Sequence, residues 1–369
     1  MREEREIAGF ALPFVVGILI STYISLPSYL HYPSIYGLFP TFALVPTICL
    51  MHPVHLNWND RTLLLIIISA GLFCGLATGA NGSLLYLSTS GDPSILERSL
   101  SQVGKCIRDS IEDIQFTDKK TGAIISALLT GDKSGIPLET IKTFRNSGAS
   151  HVLALSGLHL GIIYGILTKI LAAAGNSLSA IRLRSMCIMI VCCIYSIATG
   201  AGDSIKRALL FIIIRETALL CGRKISLRNI FFCALVIQLT LSPLSCRSAG
   251  FQLSYAAIAG IAFIYPRIIR LWNTEGTRFN LIAYIWKSAA VSISCQITTG
   301  PLAWLWFGSV PQYFLLTNLI AVPLTGLIIP ISIITVTLNA LGLCPQIITR
   351  ATECLVSTLT DALEIISDM

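Results

Sequence analysis

From His151 onward the chain is a nearly continuous succession of apolar segments separated by short polar loops. Over all 369 residues, 54% are hydrophobic and 12% are charged, whereas a soluble domain has roughly 25% charged residues. So few polar side chains cannot cover a water-soluble globule. Segments that cross lipid are helical, because lipid offers their backbone no hydrogen-bond partners. Since each crossing takes about 20 apolar residues, the sequence predicts an all-α polytopic membrane protein with about 10 to 12 transmembrane helices.

The apolar segments and the polar segments between them predict four regions. Residues 94–115 alternate apolar and charged side chains at helical spacing, which is typical of an amphipathic helix lying on a membrane or on other helices. The predicted regions are N-terminal transmembrane helices over residues 1–80, an external amphipathic helical region over 81–150, a transmembrane domain over 151–345 and a C-terminal amphipathic helix over 346–369.

The charge distribution predicts how the chain is oriented in the membrane. The net charge of +7 is compatible with nucleic acid or anionic lipid as a partner, but most basic residues gather in alternate short loops. One such loop holds Arg182 and Arg184, and another holds Arg223 and Lys224. Because cytoplasmic loops are enriched in Lys and Arg, we expect these loops and the N-terminus in the cytoplasm. The region over residues 81–150 and the turn at residues 200–207 are then external.

The residues offer little for metal or cofactor binding. The twelve cysteines contain no C-x-x-C pair and no Cys/His zinc spacing. His52 and His55 lie three residues apart, but no third ligand is near them in the sequence. We therefore expect neither a metal nor a cofactor.

A Ser-Gly-Leu-His sequence, Ser156 to His159, lies near the start of a predicted span over residues 151–174. If that span is one continuous helix, Ser156 and His159 share a face, with His151 about 80° around the helix. Two interpretations are open. The polar face either lines a pore or forms hydrogen bonds between helices.

The segment before this span predicts two short helices and a turn. Gly131 ends the first helix and begins the turn over residues 131–135. Pro137 suits the first position of the second helix, Gly148 ends it, and Ser150 is expected to cap the following span.

Further polar residues lie where apolar spans are predicted, and such residues usually face a cavity or a partner helix. A glycine-rich turn leads to Lys206 and Arg207 at a helix start, where cations oppose the helix dipole. Asp203 or an anionic ligand would stabilise them, and a plain interfacial anchor explains them equally well. Hydroxyl-bearing residues before Gly300-Pro301 suggest a cavity lining or a discontinuous helix, and Pro330 separates two predicted spans. The other polar candidates are Gln252, Ser254, Gln296 and Asn318. Together these residues predict a helix bundle with a polar interior, as in a channel or a transporter.

An enzymatic role is not expected. Ser156, His159 and Asp203 are the residue types of a hydrolase, but a Ser and a His three apart on one helix do not approach each other as nucleophile and base do. The chain also lacks a Walker A sequence and an H-E-x-x-H sequence. Energy for transport must then come from a gradient or a partner.

The run over residues 128–162 resembles the hallmark of the ComEC family of competence proteins, which are membrane channels for DNA uptake in bacteria. The family's turn, helix and Ser-Gly-Leu-His pattern is matched here by residues 131–135, Phe144-Arg145, Gly148, Ser150-His151 and residues 155–159. Further resemblance follows at Arg207-Ala208, Pro243, residues 250–254 and residues 318–324.

The resemblance implies a channel that passes single-stranded DNA across the inner membrane during natural transformation, while the other strand is degraded outside. It also implies a DNA receptor and a helicase-like ATPase as partners. Membrane lipid and a second copy of the chain, in a homo-oligomer, are further expected partners. Family members often carry an external OB-like domain and a C-terminal metallo-β-lactamase-like domain, and this sequence shows neither. A separate nuclease is therefore expected.

A single-stranded DNA path needs cations for the phosphates and a wet lining. The candidate path residues are Asp132, Lys133, Arg145, His151, Ser156, His159, Asp203, Lys206, Arg207, Gln252, Ser254, Gln296 and Asn318. Two alternatives remain beside the DNA channel, namely a permease for another solute and a family member that no longer conducts.

Overall fold

The structure is a computed structural model that describes residues 2–23, 95–114, 116–175, 177–272 and 280–369. Within these ranges the chain forms helices and their connections, and no strand occurs there. Three described helical stretches are long and apolar enough to cross a membrane: Leu178–Ala198, Ala249–Leu271 and Phe314–Ala340. Shorter apolar helices cover Ile7–Ile20, Gly157–Leu171 and Leu227–Leu241. The prediction of an all-α protein with helices long and apolar enough to cross a membrane is confirmed, and the number of about 10 to 12 such helices stays a prediction. Most of the predicted N-terminal helices, together with the His52–His55 pair, lie outside the described residues.

The α-helices, in chain order, are α1 (Arg2–Tyr23), α2 (Ile95–Glu112), α3 (Lys119–Thr130), α4 (Leu138–Asn146), α5 (Ser150–Leu153), α6 (Gly157–Leu171), α7 (Leu178–Ala198), α8 (Asp203–Leu220), α9 (Leu227–Leu241), α10 (Ala249–Ala259), α11 (Tyr265–Ile268), α12 (Asn280–Phe307), α13 (Phe314–Ala340) and α14 (Gln346–Ser367). A π-helical segment, Gly260–Ile264, joins α10 to α11.

The chain divides into two compact units. The first comprises Met1–Asp92 and Ile213–Ala262, and the second comprises Pro93–Ile212 and Phe263–Met369. In the first unit α1 packs against α9 through fully buried side chains such as Phe14 and Ile18. Tyr255 of α10 donates its hydroxyl to Oε1 of Gln238 at 2.9 Å, which gives a buried phenol the polar partner it requires.

Most of the core of the second unit lies among α3, α4, α13 and α14. Leu128, Phe144, Ile328 and Leu359 are each at most 1% exposed there. The inward side chains of α14 recur three or four residues apart, and they are Thr352, Val356, Leu359, Leu363 and Ile366. This spacing is that of an amphipathic helix with one packed face.

A second cluster of buried side chains in this unit joins α6, α7 and the first turns of α8. Leu160 and Ile205 are fully buried in it, and Ile188 is 1% exposed. Because α6 and α8 share this cluster, the segments that begin these two helices are held near each other.

Two predicted interruptions of helices are absent. α12 continues through Gly300 and Pro301 to Phe307, and α13 continues through Pro323 and Pro330. The predictions of a discontinuous helix before Gly300 and of two spans separated at Pro330 were therefore wrong. A proline removes one hydrogen bond of a helix, but the turns on either side keep theirs, and membrane helices tolerate this loss.

The π-helical segment is followed by a proline. Pro266 lacks the N–H that would bond to the carbonyl oxygen of Ala262 one turn earlier. Arg228 donates from Nε to that oxygen at 3.2 Å. A side chain from α9 thus satisfies a backbone group that the proline leaves open.

Candidate functional site

The turn after α3 is shaped by Gly131 and Asp132. Gly131 has φ +81°, a left-handed conformation that favours glycine. Asp132 Oδ1 accepts a hydrogen bond from the Ser134 N–H at 3.0 Å, and its Oδ2 lies 3.6 Å from Nε of Arg108. The hydrogen bonds from the Ser134 backbone and hydroxyl, and then the Arg108 charge, hold the pKa of Asp132 below its usual range. Asp132 is therefore a carboxylate that shapes its own turn.

Residues that are distant in the sequence hold the end of α4 in place. Gly148 has φ +80°, and a Cβ placed on it would lie 2.8 Å from Cβ of Pro311. The hydroxyl of Thr317, which is fully buried, donates to the carbonyl oxygen of Ser147 at 2.6 Å. The prediction that Gly148 ends this helix is confirmed. No role was predicted for Thr317, although it directly precedes Asn318, the first residue of a segment that resembles the family pattern.

The predicted span over residues 151–174 is broken near its start. α5 ends at Leu153, Ala154 is extended with ψ 125°, and α6 begins only at Gly157. Hence His151 and His159 do not lie on one continuous helix. Ser150 does not cap the span, since the position before α5 is Ala149 and no side chain caps it.

Ser156 and His159 form a capping box at the start of α6. The Ser156 hydroxyl accepts from the Leu158 N–H at 3.3 Å, and the Ser156 N–H donates to Nδ1 of His159 at 3.2 Å. Each side chain thus satisfies a backbone N–H that the helix start leaves unpaired. The cap explains the break, because an N-cap residue has extended rather than helical backbone angles.

The two histidines differ in which nitrogen carries the proton. In His151 Nδ1 lies 3.2 Å from the carbonyl oxygen of Gly148, so Nδ1 donates. In His159 Nδ1 accepts, so a neutral His159 carries its proton on Nε2. His159 is fully buried, and its Nε2 has no hydrogen-bond partner among the residues that the structure describes. His151 is exposed.

Ser156 and His159 approach more closely than the sequence argument allowed. The Ser156 hydroxyl lies 3.1 Å from Nδ1 of His159, because Ser156 precedes α6 rather than lying within it. Geometry alone therefore does not exclude a nucleophile and a base. A triad also needs a carboxylate on the other imidazole nitrogen, and within the described ranges Nε2 has no such partner.

Three segments that are distant in sequence meet at this cap. A Cβ placed on Gly131 would lie 3.2 Å from Cδ2 of Leu155, and a Cβ placed on Gly157 would lie 3.2 Å from Cβ of Ala208. The Tyr195 hydroxyl donates to the carbonyl oxygen of Leu129 at 3.1 Å. The turn after α3, the break before α6 and the start of α8 thus form one packed cluster in the second unit.

The start of α8 carries its own counter-charge. Asp203 is the first residue of α8, where a carboxylate suits the helix dipole. Its Oδ1 lies 3.9 Å from Nζ of Lys206, and the two side chains are 84% and 61% exposed. An exposed pair at this distance stabilises little. Arg207 is 5% exposed and so is packed into the protein.

Of the remaining predicted path residues, Lys133 lies in the turn after α3, and the others lie outside the cluster or in the first unit. Lys133 and Arg145 are exposed, and Gln296 is half-buried. Asn318 is half-buried, and its Oδ1 has no hydrogen-bond partner within the described part of the chain. In the first unit Gln252 donates from Nε2 to the carbonyl oxygen of Cys246 at 2.9 Å, and Ser254 is half-buried.

A groove of about 650 Å³ lies among α3, α4 and α14. Thr117 donates its N–H to Glu353 at one edge. Five carboxylates but only two basic side chains line the groove, and these residues are Asp118, Glu139, Glu353, Asp361, Glu364, Lys120 and Arg350. This excess of negative charge repels a polyanion such as DNA. Among the described residues, no three His, Cys, Asp or Glu side chains are placed to hold a metal ion.

Comparison with known proteins gives consistent matches. ComE operon protein 3 of Bacillus subtilis (strain 168) is 29% identical over 133 residues, which are 36% of this chain and 17% of the relative. Competence protein ComA of Neisseria gonorrhoeae is 27% identical over 206 residues, 54% of this chain and 28% of the relative. The uncharacterized protein YcaI of Escherichia coli (strain K12) is 23% identical over 211 residues, 56% of this chain and 28% of the relative.

Each alignment thus covers less than a third of the relative's length. No solved structure matches the chain significantly. The family model described as Competence protein matches residues 128–369, a range that begins at the end of α3 and includes the whole packed cluster. The chain therefore belongs to the competence protein family.

Proposed function

We propose that this chain is a channel that passes single-stranded DNA across the bacterial inner membrane during natural transformation. The observation that carries the proposal is the packed cluster itself. The turn after α3, the cap of α6 and the start of α8 are the segments in which the sequence resembles DNA-uptake channels, and they meet in one place within the family match. One of the relatives is named Competence protein ComA.

The charges around the cluster suit a nucleic-acid strand. Lys133 and Lys206 are exposed cations in the turn after α3 and at the start of α8, and Arg145 is an exposed cation on α4. Exposed lysines and arginines attract phosphates. The groove beside α14 carries mostly carboxylates. The strand is thus expected to follow the cationic elements and to avoid the groove.

The proposal includes a membrane arrangement and partners. The chain crosses the inner membrane several times with its N-terminus in the cytoplasm, and conducts DNA without catalysing a reaction. A DNA receptor delivers the strand, a separate nuclease removes its complement, a cytoplasmic helicase-like ATPase supplies the energy, and the channel works as a homo-oligomer in contact with lipid.

A permease for another solute is the second candidate. It is favoured by two buried polar atoms in apolar helices, Nε2 of His159 and Oδ1 of Asn318, for which the described residues provide no hydrogen-bond partner. Polar atoms left open in a helix bundle suit a small polar solute.

The first experiment deletes the gene and measures transformation with marked DNA. Loss of transformation supports the channel, and normal transformation rejects it. Accumulation of a metabolite in a strain that transforms normally favours the permease.

The second experiment compares charge variants. The Lys133→Ala/Arg145→Ala double variant should lower nuclease-resistant uptake of labelled DNA at an unchanged membrane level of the protein. Lys169→Ala is the matched cation control, because Lys169 is exposed at the opposite end of α6. Asp361→Asn/Glu364→Gln tests the groove, and both controls should retain uptake. Equal uptake in all variants would remove Lys133 and Arg145 from the DNA path.

A further inference from the structure

α12 carries large aromatic side chains near both of its ends. Tyr284 is 51% exposed near the first end, where the ring of Trp286 lies 5.5 Å from that of Trp272. Near the second end Trp304 is 62% exposed and Phe307 is 64% exposed. α12 is not among the three described helices whose length and apolarity alone suffice for crossing a membrane.

The two aromatic groups lie about one bilayer thickness apart. Trp286 and Trp304 are 18 residues apart, and a rise of about 1.5 Å per residue separates them by roughly 27 Å along the helix. The hydrocarbon core of a bilayer is about 30 Å thick. Tryptophan and tyrosine are enriched at both membrane–water interfaces. The two groups are therefore spaced as two interfacial belts on one crossing helix.

The charges around α12 fit the same arrangement. Lys287 is exposed beside Trp286, and Arg267 and Arg270 are exposed in the segment that ends at Trp272. Between Lys287 and Arg350 the sequence contains no Asp, Glu, Lys, Arg or His. One end of α12 is thus basic and the other uncharged, as expected for a helix whose first end lies at the cytoplasmic face.

The second aromatic group is exposed all around the helix. Residues 304–307 are consecutive, and steps of about 100° place them on every side of α12. Trp304, Leu305, Trp306 and Phe307 are 62%, 70%, 45% and 64% exposed. A protein partner or a stacked base would cover one side, whereas lipid surrounds a helix. Exposed Tyr313 and Leu316 continue this surface onto α13, which is itself apolar enough to cross a membrane.

We propose that α12 crosses the bilayer between two aromatic belts, and that the belt at residues 304–307 holds the end of α4 at the membrane surface. Pro311 follows this belt by a few residues and packs against Gly148, while Thr317 bonds to Ser147. The belt thereby fixes the depth of the turn that leads to His151. Nothing in this step depends on the transported molecule.

The test is tryptophan quenching in liposomes of brominated phosphatidylcholine. One protein keeps only Trp304 and another keeps only Trp286, with the remaining tryptophans changed to Phe. In a third, Ile297→Trp is introduced into a background in which all five tryptophans are Phe. Trp304 and Trp286 should be quenched most by bromine near the headgroup. The Ile297→Trp side chain, 52% exposed at its native position, should be quenched most by bromine near the chain ends.

Deep quenching of Trp304, or quenching by aqueous acrylamide without any effect of the lipid, would overturn the proposal. Quenching of Trp304 by oligothymidylate would assign the aromatic group to base stacking instead. Should a variant fail to insert, the unaltered protein is labelled with a phospholipid that carries a photoreactive group near its headgroup. Labels are expected at residues 284–286 and 304–307, and labelling confined to residues 290–300 would contradict the belts.

Discussion

The backbone N–H of Ser156 donates to Nδ1 of His159 at 3.2 Å, and the Ser156 hydroxyl lies 3.1 Å from the same nitrogen. These contacts turn a Ser-Gly-Leu-His sequence in an apolar segment into the start of a helix. The His159 imidazole is fully buried, and its Nε2, which carries the proton, has no hydrogen-bond partner among the described residues.

Ser156→Ala removes the side-chain oxygen that caps α6. Loss of an N-cap costs about 1 kcal/mol of stability, so the thermal midpoint in detergent should fall. Ser156→Thr keeps the acceptor and should retain most of the stability. Ser150→Ala is the matched control, because Ser150 is exposed and makes no cap bond. Equal losses in Ser156→Ala and Ser150→Ala would contradict the capping role.

Gly148→Ala combines two penalties. The left-handed backbone costs a residue with a Cβ about 1–2 kcal/mol, and the contact of 2.8 Å with Pro311 adds about 1–3 kcal/mol of overpacking. Gly342→Ala has the first penalty alone, since Gly342 follows the end of α13 with φ +67° and no atom lies near its Cβ position. Thermal unfolding of both variants should therefore show the larger loss in Gly148→Ala. The same loss in both would mean that Pro311 moves aside freely.

Thr317→Val keeps the shape of the side chain but removes the donor to the Ser147 carbonyl. A buried acceptor left unpaired costs about 1–3 kcal/mol. Thr317→Ser retains the hydroxyl and should restore much of that loss. The measurement is the free energy of unfolding from denaturant titration in micelles, and indistinguishable values for the Val and Ser variants would show that the bond contributes nothing.

The contribution of Asp132 to the stability of the fold is expected to depend on pH. The folded-state pKa of Asp132 lies below the usual value, chiefly because of the Ser134 hydrogen bonds. The carboxylate therefore stabilises the fold above its unfolded pKa of about 3.9, and this contribution is lost as the pH falls through the lower folded value. Wild type should exceed Asp132→Asn in thermal midpoint at neutral pH, and the difference should shrink in acid.

Arg108→Gln serves as the comparison for Asp132→Asn. The Arg108 charge lowers the Asp132 pKa less than the Ser134 bonds do, so this variant should change the acid side of the stability profile less. A difference between wild type and Asp132→Asn that grows as the pH falls would reverse the assigned sign.

Local signals were sufficient to predict where α3 and α4 end. Gly131 and Gly148 both adopt positive φ, and few other residues do so at small cost. The break before α6 was harder to predict, because residues 151–174 are apolar enough to form one span. There a cap worth about 1 kcal/mol competes with the hydrogen bonds of a continuous helix, and neighbouring packing decides the outcome.

The prolines led to a wrong prediction, because a local signal for a break was present where no break occurs. Pro301, Pro323 and Pro330 each signal a break locally, yet long apolar helices run through all three. Contacts such as Thr317 to Ser147 join residues 170 positions apart, and no local pattern indicates them. The resemblance to the family was therefore sufficient to predict which segments belong to the cluster, but it did not predict which of their residues are in contact.

The bond from Thr317 to Ser147 also has a mechanical consequence. It joins the first turn of a 27-residue helix to the turn that leads into His151, and Pro311 blocks the other side of that turn at Gly148. The turn cannot swing separately from α13. If the protein widens next to His151, α13 must move together with the turn, or the buried 2.6 Å hydrogen bond between Thr317 and Ser147 must break.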